Sequence, residues 1–292
     1  MRPPPALLEQ LKASRLLPMR ARPSVGIGER RSRSKGAGME FIDHRPYRAG
    51  GDTRHLDPHV MARTGEAVIR QYVQGRQLPV TLVIDASPSM LIEDGAKFRS
   101  ACLLAQVLGF VALTGGDRVQ AAMRGARGLA LSPRWQGAAR AEALFAWIAG
   151  VEAGAADAGF AATLADVTPH LPQAGLVVAL SDWWGDGVRQ RLDILHAAGH
   201  EILAMQILSP GESDPARLGQ GLMTLLDAET GAEVEVMSDA ETLGRYGVLL
   251  RAWQTGLREL FSARHWHFLA APSDAGVYDI CLRTLRGVGV LA

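Results

Sequence analysis

The chain alternates between two apolar rhythms. Short runs rich in Leu and β-branched residues, at 80–85, 118–123, 175–182, 201–208 and 266–270, read as strands. Between them lie longer stretches with apolar residues at helical spacing, at 96–113, 138–150, 164–171, 188–198, 239–264 and 277–286. Strands alternating with helices pack as a mostly parallel sheet covered on both faces, so the pattern predicts an α/β, doubly wound fold. Residues 128–132 read as a further short strand, and 222–237 as two β-runs around Glu229-Thr230-Gly231, a hairpin. The segment 101–113 is apolar nearly all round, which is the pattern of a buried helix. Gly199 stands where a helix C-cap is expected, and Ser238 or Asp239 where an N-cap is. The N-terminal part is less regular. Residues 6–17 approach helical spacing, 20–38 read as loop or weak strand, 39–62 are polar and turn-rich, and 66–73 suit either helix or strand. The expected organisation is an N-terminal extension over 1–78 and an α/β domain over 79–292.

Two of the strand-like runs end in acids. Leu82-Val83-Ile84 leads into Asp85-Ala86-Ser87-Pro88-Ser89, and Leu176-Val177-Val178-Ala179-Leu180 leads into Ser181-Asp182. In open α/β sheets, ligands bind outside the carboxyl ends of strands. Asp85, Ser87 and Ser89 offer one carboxylate and two hydroxyls from a single turn. Hard oxygens of this kind suit Mg²⁺, which keeps waters and takes few protein carboxylates. The competing reading is local, because Asp and Ser also favour turns and N-caps. Thr163 follows a small, polar stretch from Gly159 and can face a loop, with Asp166 and Thr168 as neighbouring alternatives. Trp183 and Trp184 come directly after Asp182. One reads as core packing and the other as an aromatic rim suited to a protein interface, without the sequence saying which is which.

Composition narrows the function classes. Hydrophobic residues make up 48% and charged residues 21% of 292, an ordinary globular balance with enough chain to bury a sizeable core. The formal net charge of +1 implies no global pull towards nucleic acid. The charge is unevenly placed, +8 over residues 1–78 and −7 over the rest. The basic run Arg30, Arg31, Arg33 and Lys35 lacks an accompanying nucleic-acid motif or stacking aromatics, so a solvated face or an internal clamp is expected. Cys102 and Cys281 have no partner at metal-ligand spacing and read as buried free thiols of a reducing compartment. His265 and His267 alternate about Trp266, which in a strand places both on one polar face rather than in a zinc site. With no apolar signal core and no run expected to span a bilayer, the expectation is a cytoplasmic protein without direct membrane insertion. Enzyme readings find little support. A phosphoaspartyl mechanism at Asp85 needs an acid two residues on, where Ser87 stands. Serine-hydrolase elbow, Walker A and dinucleotide fingerprints are missing from the sequence.

The loops around Asp85, Thr163 and Asp182 together resemble the von Willebrand factor A-type domain. Its metal-ion-dependent adhesion site is built from Asp-x-Ser-x-Ser, a distant Thr and a distant Asp. The resemblance implies Asp85, Ser87, Ser89, Thr163 and Asp182 as ligands of Mg²⁺ or Mn²⁺. The region before the first strand narrows the family. Phe41-Ile42-Asp43-His44-Arg45-Pro46-Tyr47, Gly51-Asp52-Thr53-Arg54, Leu56-Asp57 and Ala62-Arg63-Thr64 resemble the prokaryotic A-like family called domain of unknown function fifty-eight. This chain has Pro58 where that family usually has Trp, and Gln71 where it usually has an acid. The resemblance implies a MoxR-type AAA+ ATPase as partner and an unknown client protein. The resulting expectation is a non-enzymatic, metal-dependent protein-binding adaptor in chaperone-like assembly. The alternatives are a metal-dependent phosphoester hydrolase using Asp85 and a nucleic-acid-binding module using the Arg cluster. Segment 45–57 is expected to pack on the α/β domain rather than form a catalytic site.

Overall fold

In the computed structural model, which describes residues 1–18, 39–47, 57–74, 77–154, 159–171 and 174–292, the chain divides into two units. The larger combines Met1–Arg22 with Leu78–Ala292, and the smaller is Pro23–Gln77. Residues 1–22 thus join the larger unit, which resumes at Leu78. The reason lies in helix α1 (Pro5–Leu11), whose Leu7 and Leu11 are fully buried in the main core. Leu16 then pairs with Leu291 in an antiparallel bridge.

In the smaller unit, β1 (Met39–Pro46) pairs antiparallel with β2 (Val68–Gln74), with a register shift between Phe41 and Asp43. Helix α2 (Pro58–Thr64) starts at a proline, where no N–H is needed. The Asp57 carboxylate accepts from the N–H groups of His59 and Val60 at 3.0 and 3.3 Å and caps it. Residues 39–62, expected as turn-rich, therefore hold a strand and a helix. Glu40, Asp43, His44 and Arg45 break the apolar rhythm of β1, and backbone pairing with β2 makes it a strand nonetheless. The Arg30–Lys35 run and Arg54 lie outside the described residues.

The larger unit is a mixed α/β structure with a mostly parallel central sheet flanked by helices. Its strands are β3 (Pro79–Ile84), β4 (Arg118–Gly125), β5 (Gly128–Leu131), β6 (Trp135–Gln136), β7 (Leu176–Ser181), β8 (Glu201–Gln206) and β11 (His267–Ala270). They run in the order β11-β8-β7-β3-β4-β5, with β6 also pairing to β4. Strands β3, β4, β7, β8 and β11 pair in parallel, while β5 and β6 run antiparallel to β4. Between β8 and β11, strands β9 (Gly221–Leu226) and β10 (Glu233–Ser238) form a separate antiparallel hairpin.

Period-two alternation divides the strand residues between two cores. Val80, Leu82, Ile84, Leu176, Val178, Leu180, Leu203 and Met205 face one layer. That layer holds α1, α3 (Ile92–Thr114), α4 (Ala141–Gly150) and the C-terminal helix with its π-helical stretch Asp279–Leu285. Val83, Val177, Ala179, Ile202 and Ala204 face the other. There lie α5 (Phe160–Val167), α6 (Val188–Ala197) and α8 (Ala240–Ser262); the short α7 (Pro210–Ser213) sits in the loop after β8. The all-round apolar segment of α3 is buried between sheet and α4, as its pattern implied. By length and composition the helical stretch Pro88–Thr114 is apolar enough to cross a membrane, yet 61% of that window is buried inside this fold. His265 sits in a left-handed turn (φ 55°) before β11, so the expected same-face histidine pair does not form. Cys102 and Cys281 are both free, and burial pushes each thiol up to about 12.

Candidate functional site

Strand β3 starts two opposite paths through the sheet, towards β4 on one side and towards β7 on the other. Where strand order reverses in this way, the loops beyond the carboxyl ends diverge and leave a crevice. Asp85 directly follows β3 and Asp182 directly follows β7, so both acids stand at the carboxyl ends of the strands where the order reverses. The Asp85 N–H still donates to the Leu180 carbonyl at 2.9 Å, which extends the β3–β7 ladder and fixes the carboxylate's root.

Both acids are buried, with relative exposures of 1%. The Asp85 Oδ2 accepts from the Ser181 hydroxyl at 2.6 Å, and its Oδ1 accepts from the Ser87 N–H at 3.0 Å. Ser87 occupies the N-cap position of a short 3-10 turn, Pro88–Leu91, but its hydroxyl makes no capping bond. It faces the Ser89 hydroxyl instead, at 3.1 Å. The local reading as a turn cluster thus accounts for the Asp85 Oδ1 bond and for the Ser87–Ser89 contact, though neither hydroxyl caps the 3-10 turn. Thr163 is buried on α5, which packs against β3 and β4. Its neighbours are committed elsewhere, since Asp166 pairs with Arg124 and the Thr168 hydroxyl donates to the Leu164 carbonyl.

A cation of the chain itself lies next to these groups. The Lys97 side chain on α3 is fully buried, and its ammonium donates to Asp182 Oδ2 at 3.0 Å and to Glu212 Oε1 at 2.6 Å. The other Glu212 oxygen accepts from the Ser209 N–H at 2.7 Å, while the Ser209 hydroxyl donates to Glu93 at 2.7 Å. Ser209 and Glu212 form a capping box on α7. Glu93 belongs to a left-handed stretch, Glu93 to Gly95, that precedes the regular part of α3. Lys97, Glu212 and Ser181 were not singled out from the sequence. A lysine at the head of an all-apolar helix was the available signal for the first, and the Ser-x-x-Glu spacing for the second.

The tryptophans after Asp182 divide their roles. Trp183 is buried edge-on against Phe160 and Phe261, at 5.2 and 5.1 Å, and its indole N–H donates to the Met205 carbonyl. Its backbone is left-handed (φ 68°), a strained conformation for a bulky residue, held by its N–H bond to the Ser181 hydroxyl. Trp184 is the rim residue, 38% exposed and stacked on Trp253 of α8 with centroids 3.8 Å apart. On the exposed side of the Asp85 loop, Glu229 from the β9–β10 turn accepts from the Ser89 N–H at 3.0 Å.

Charge balance tells what this arrangement can hold. Burial first, and then the neighbouring Asp182 carboxylate, push the Asp85 carboxyl up to about 7. Lys97 pairs with Asp182 and Glu212, and the Asp182 carboxylate in turn raises Asp85, so carboxyl groups outnumber the one buried ammonium and a divalent cation would favour the ionised form of Asp85. The donors are oxygens only, which fits Mg²⁺ or Mn²⁺. No group of three or more His, Cys, Asp or Glu side chains suited to a metal occurs among the described residues, so a site here relies on hydroxyls and water for most of its shell.

Residues 43–251 match the model of the family described as protein of unknown function DUF58. Uncharacterized proteins of Mycobacterium bovis and of two Mycobacterium tuberculosis strains are 30% identical to this chain over 210 residues. The match covers 70% of this chain, and the chain spans 65% of the length of those curated relatives. The crystal structure of the conserved hypothetical protein BatB from Bacteroides thetaiotaomicron aligns with a TM-score of 0.40 and 10% identity, over 67% of this chain and 90% of that one. A likeness at that level carries no functional argument.

Proposed function

This chain belongs to the DUF58 family of proteins of unknown function, and on that premise we propose that its larger unit is a von Willebrand factor A-like module that binds a divalent cation and, through it, an acidic side chain of a protein partner. The observation that carries the reading is the pair of buried carboxylates, Asp85 and Asp182, at the ends of adjacent parallel strands where the strand order reverses. The same strand order, with antiparallel strands on the β4 side only, supports the A-like assignment.

Asp85, Ser87, Ser89, Thr163 and Asp182 would hold the cation, Mg²⁺ or Mn²⁺. When bound, the ion supplies an electrophilic coordination position that a partner carboxylate can fill. The chain's own residues do the positioning. Ser181 and the Ser87 N–H orient Asp85, Lys97 and the Trp184 N–H hold the two oxygens of Asp182, and the Trp184–Trp253 stack forms an aromatic ledge. Binding rather than turnover is favoured because Ser87 stands where a phosphoaspartyl enzyme needs its second acid and Lys97 is sealed from substrate. The partner the family resemblance implies is a MoxR-type AAA+ ATPase, with the chain acting as adaptor for a client protein.

Calorimetry on chelator-treated protein tests the cation. Mg²⁺ or Mn²⁺ should give a binding signal that Ser87→Ala weakens and Asp85→Ala removes. No signal at millimolar ion would sink the assignment. Capture of a purified MoxR-type ATPase tests the partner. Capture unaffected by chelator, by Asp85→Ala and by Trp184→Ala would defeat the metal-bridged mechanism, and phosphoester turnover lost in Asp85→Ala would move the reading to the hydrolase.

A further inference from the structure

The contact between Ser89 and Glu229 joins residues 140 positions apart, and it puts a carboxylate from a remote hairpin on the backbone of the candidate cation-binding loop. The turn that delivers Glu229 is well braced. Asp227 Oδ1 accepts from the N–H groups of Glu229 and Thr230 at 2.8 and 3.2 Å, and the Asp227 and Gly231 N–H groups bond to the carbonyls of Ala232 and Asp227, each at 2.8 Å. These donors hold the Asp227 carboxyl below its ordinary range. Gly231 takes a left-handed conformation (φ 71°) that lets the chain turn back into β10.

The hairpin behind this tip has little packing of its own. Leu222, Leu225, Leu226, Val234 and Met237 are 45–68% exposed, and only Ser238, at the base, is buried. A rigid turn on a thinly packed arm thus reaches the Asp85 loop and ends there in an acid. The geometry points to Glu229 as a built-in occupant of the site: the hairpin seats its own carboxylate on the Ser89 N–H, and a partner's carboxylate must displace it to reach the loop. This rests on the reading of the site as a carboxylate-docking surface and adds its regulation, since affinity for a partner is set against an internal competitor. Released from Ser89, the hairpin loses a charge-assisted hydrogen bond and little apolar contact, so the exchange is accessible to an external acid.

The test uses the full chain in chelator-containing buffer, so that its outcome does not depend on metal binding. Backbone amide hydrogen exchange at Ser89 is compared among wild type, Glu229→Ala and Glu229→Gln. Loss of a hydrogen bond to a charged acceptor predicts about tenfold faster exchange at Ser89 in Glu229→Ala, with Glu229→Gln, which keeps a neutral acceptor oxygen, in between. Acetate is then titrated as a free carboxylate probe. The Ser89 amide resonance should shift in Glu229→Ala and stay in place in wild type. Glu229 lies in an exposed turn, so both variants should melt with the wild type. Equal Ser89 exchange in wild type and Glu229→Ala overturns the proposal. Equal acetate shifts in both proteins, or none in either, overturn it as well. Calorimetric failure of Mg²⁺ binding would strike the cation while leaving these readouts intact.

Discussion

Lys97 sets the electrostatics of the site at the level of single residues. Its ammonium is fully buried between Asp182 and Glu212, so the pair bonds are desolvated and each carboxylate depends on it. Lys97→Met would leave Asp182 buried without its counter-charge, and breaking such a pair by removing one partner costs about 3–5 kcal/mol. Denaturant unfolding should record that loss. Added Mg²⁺ should then raise the melting temperature of Lys97→Met more than that of wild type, because the ion replaces the missing positive charge in the native state only. Asp85 gives a pH signature. Its carboxyl is raised from 3.8 to about 7, so between those values the folded state holds a proton that the unfolded chain releases. Asp85's contribution to the stability of the metal-free protein should therefore fall as pH rises through that window and level off above it, while His200, whose pKa burial lowers, contributes with the opposite sign near its ordinary value. Asp117, which burial pushes up to about 6, contributes with the same sign as Asp85 over the lower part. Asp85→Asn should make the slope from about 6 to about 7 less negative in melting curves taken with chelator present, leaving the opposite His200 contribution in place. A slope unchanged by that substitution would mean that Asp85 is not the titrating group.

Among the elements, α3 does most to hold the site in place. Its head carries Lys97, and its body packs against β3, whose end carries Asp85. That packing requires Gly109. A Cβ there would clash with Leu144 Cδ2 and meet Leu82 Cδ1 at 2.9 Å, inside a closed core. Gly109→Ala should destabilise the fold by about 1–3 kcal/mol through overpacking, against the gain Ala usually brings to a helix. A variant as stable as wild type in denaturant would show that α3 can shift away from the sheet. In that case the Lys97–Asp182 geometry should change with it. The regular helix begins only after the left-handed residues Glu93 to Gly95, close to residue 96, where the apolar rhythm starts. The 3-10 turn Pro88–Leu91, with Met90 buried, and the polar left-handed bend Glu93 to Gly95 make the passage from the Asp85 loop to the helix.

For the molecule as a whole, the N-terminal segment is an integral part of the larger unit. Leu7 and Leu11 are fully buried on the α3 side of the sheet, and the N–H groups of Arg15 and Leu17 donate to the carbonyls of Ala292 and Val290. Leu11→Ala should cost about 2–5 kcal/mol, as deletion of a buried leucine side chain does elsewhere. Unfolding should remain a single transition for the larger unit, since α1 shares one core with α3. A separate early melting step for the N-terminus, or no loss at all, would contradict this.

How much of this was legible in the sequence depends on the range of the interaction. The central strands β3, β7 and β8 announce themselves because each is buried on both faces, and burial on both faces demands a mostly apolar run. The acids ending two of those runs, Asp85 and Asp182, could be named as candidates for the same reason. The β9–β10 hairpin was legible from its turn residues. The two-residue strand β6 was not, because it is too short to carry a rhythm. Strand β1 was missed because Glu40, Asp43, His44 and Arg45 interrupt its apolar rhythm, and its pairing with β2 is not encoded locally. The tertiary structure alone decided that Trp183 enters the core while Trp184 stays at the rim, since that choice turns on a left-handed backbone and on Phe160 and Phe261 arriving from other helices. It alone decided that Lys97 neutralises Asp182 and that Glu229 reaches Ser89, across 85 and 140 positions of sequence. Local pattern determines which segments must be buried, because burial acts on each residue's own surface. Which charges meet is a property of how those segments are stacked, and no local rhythm encodes it.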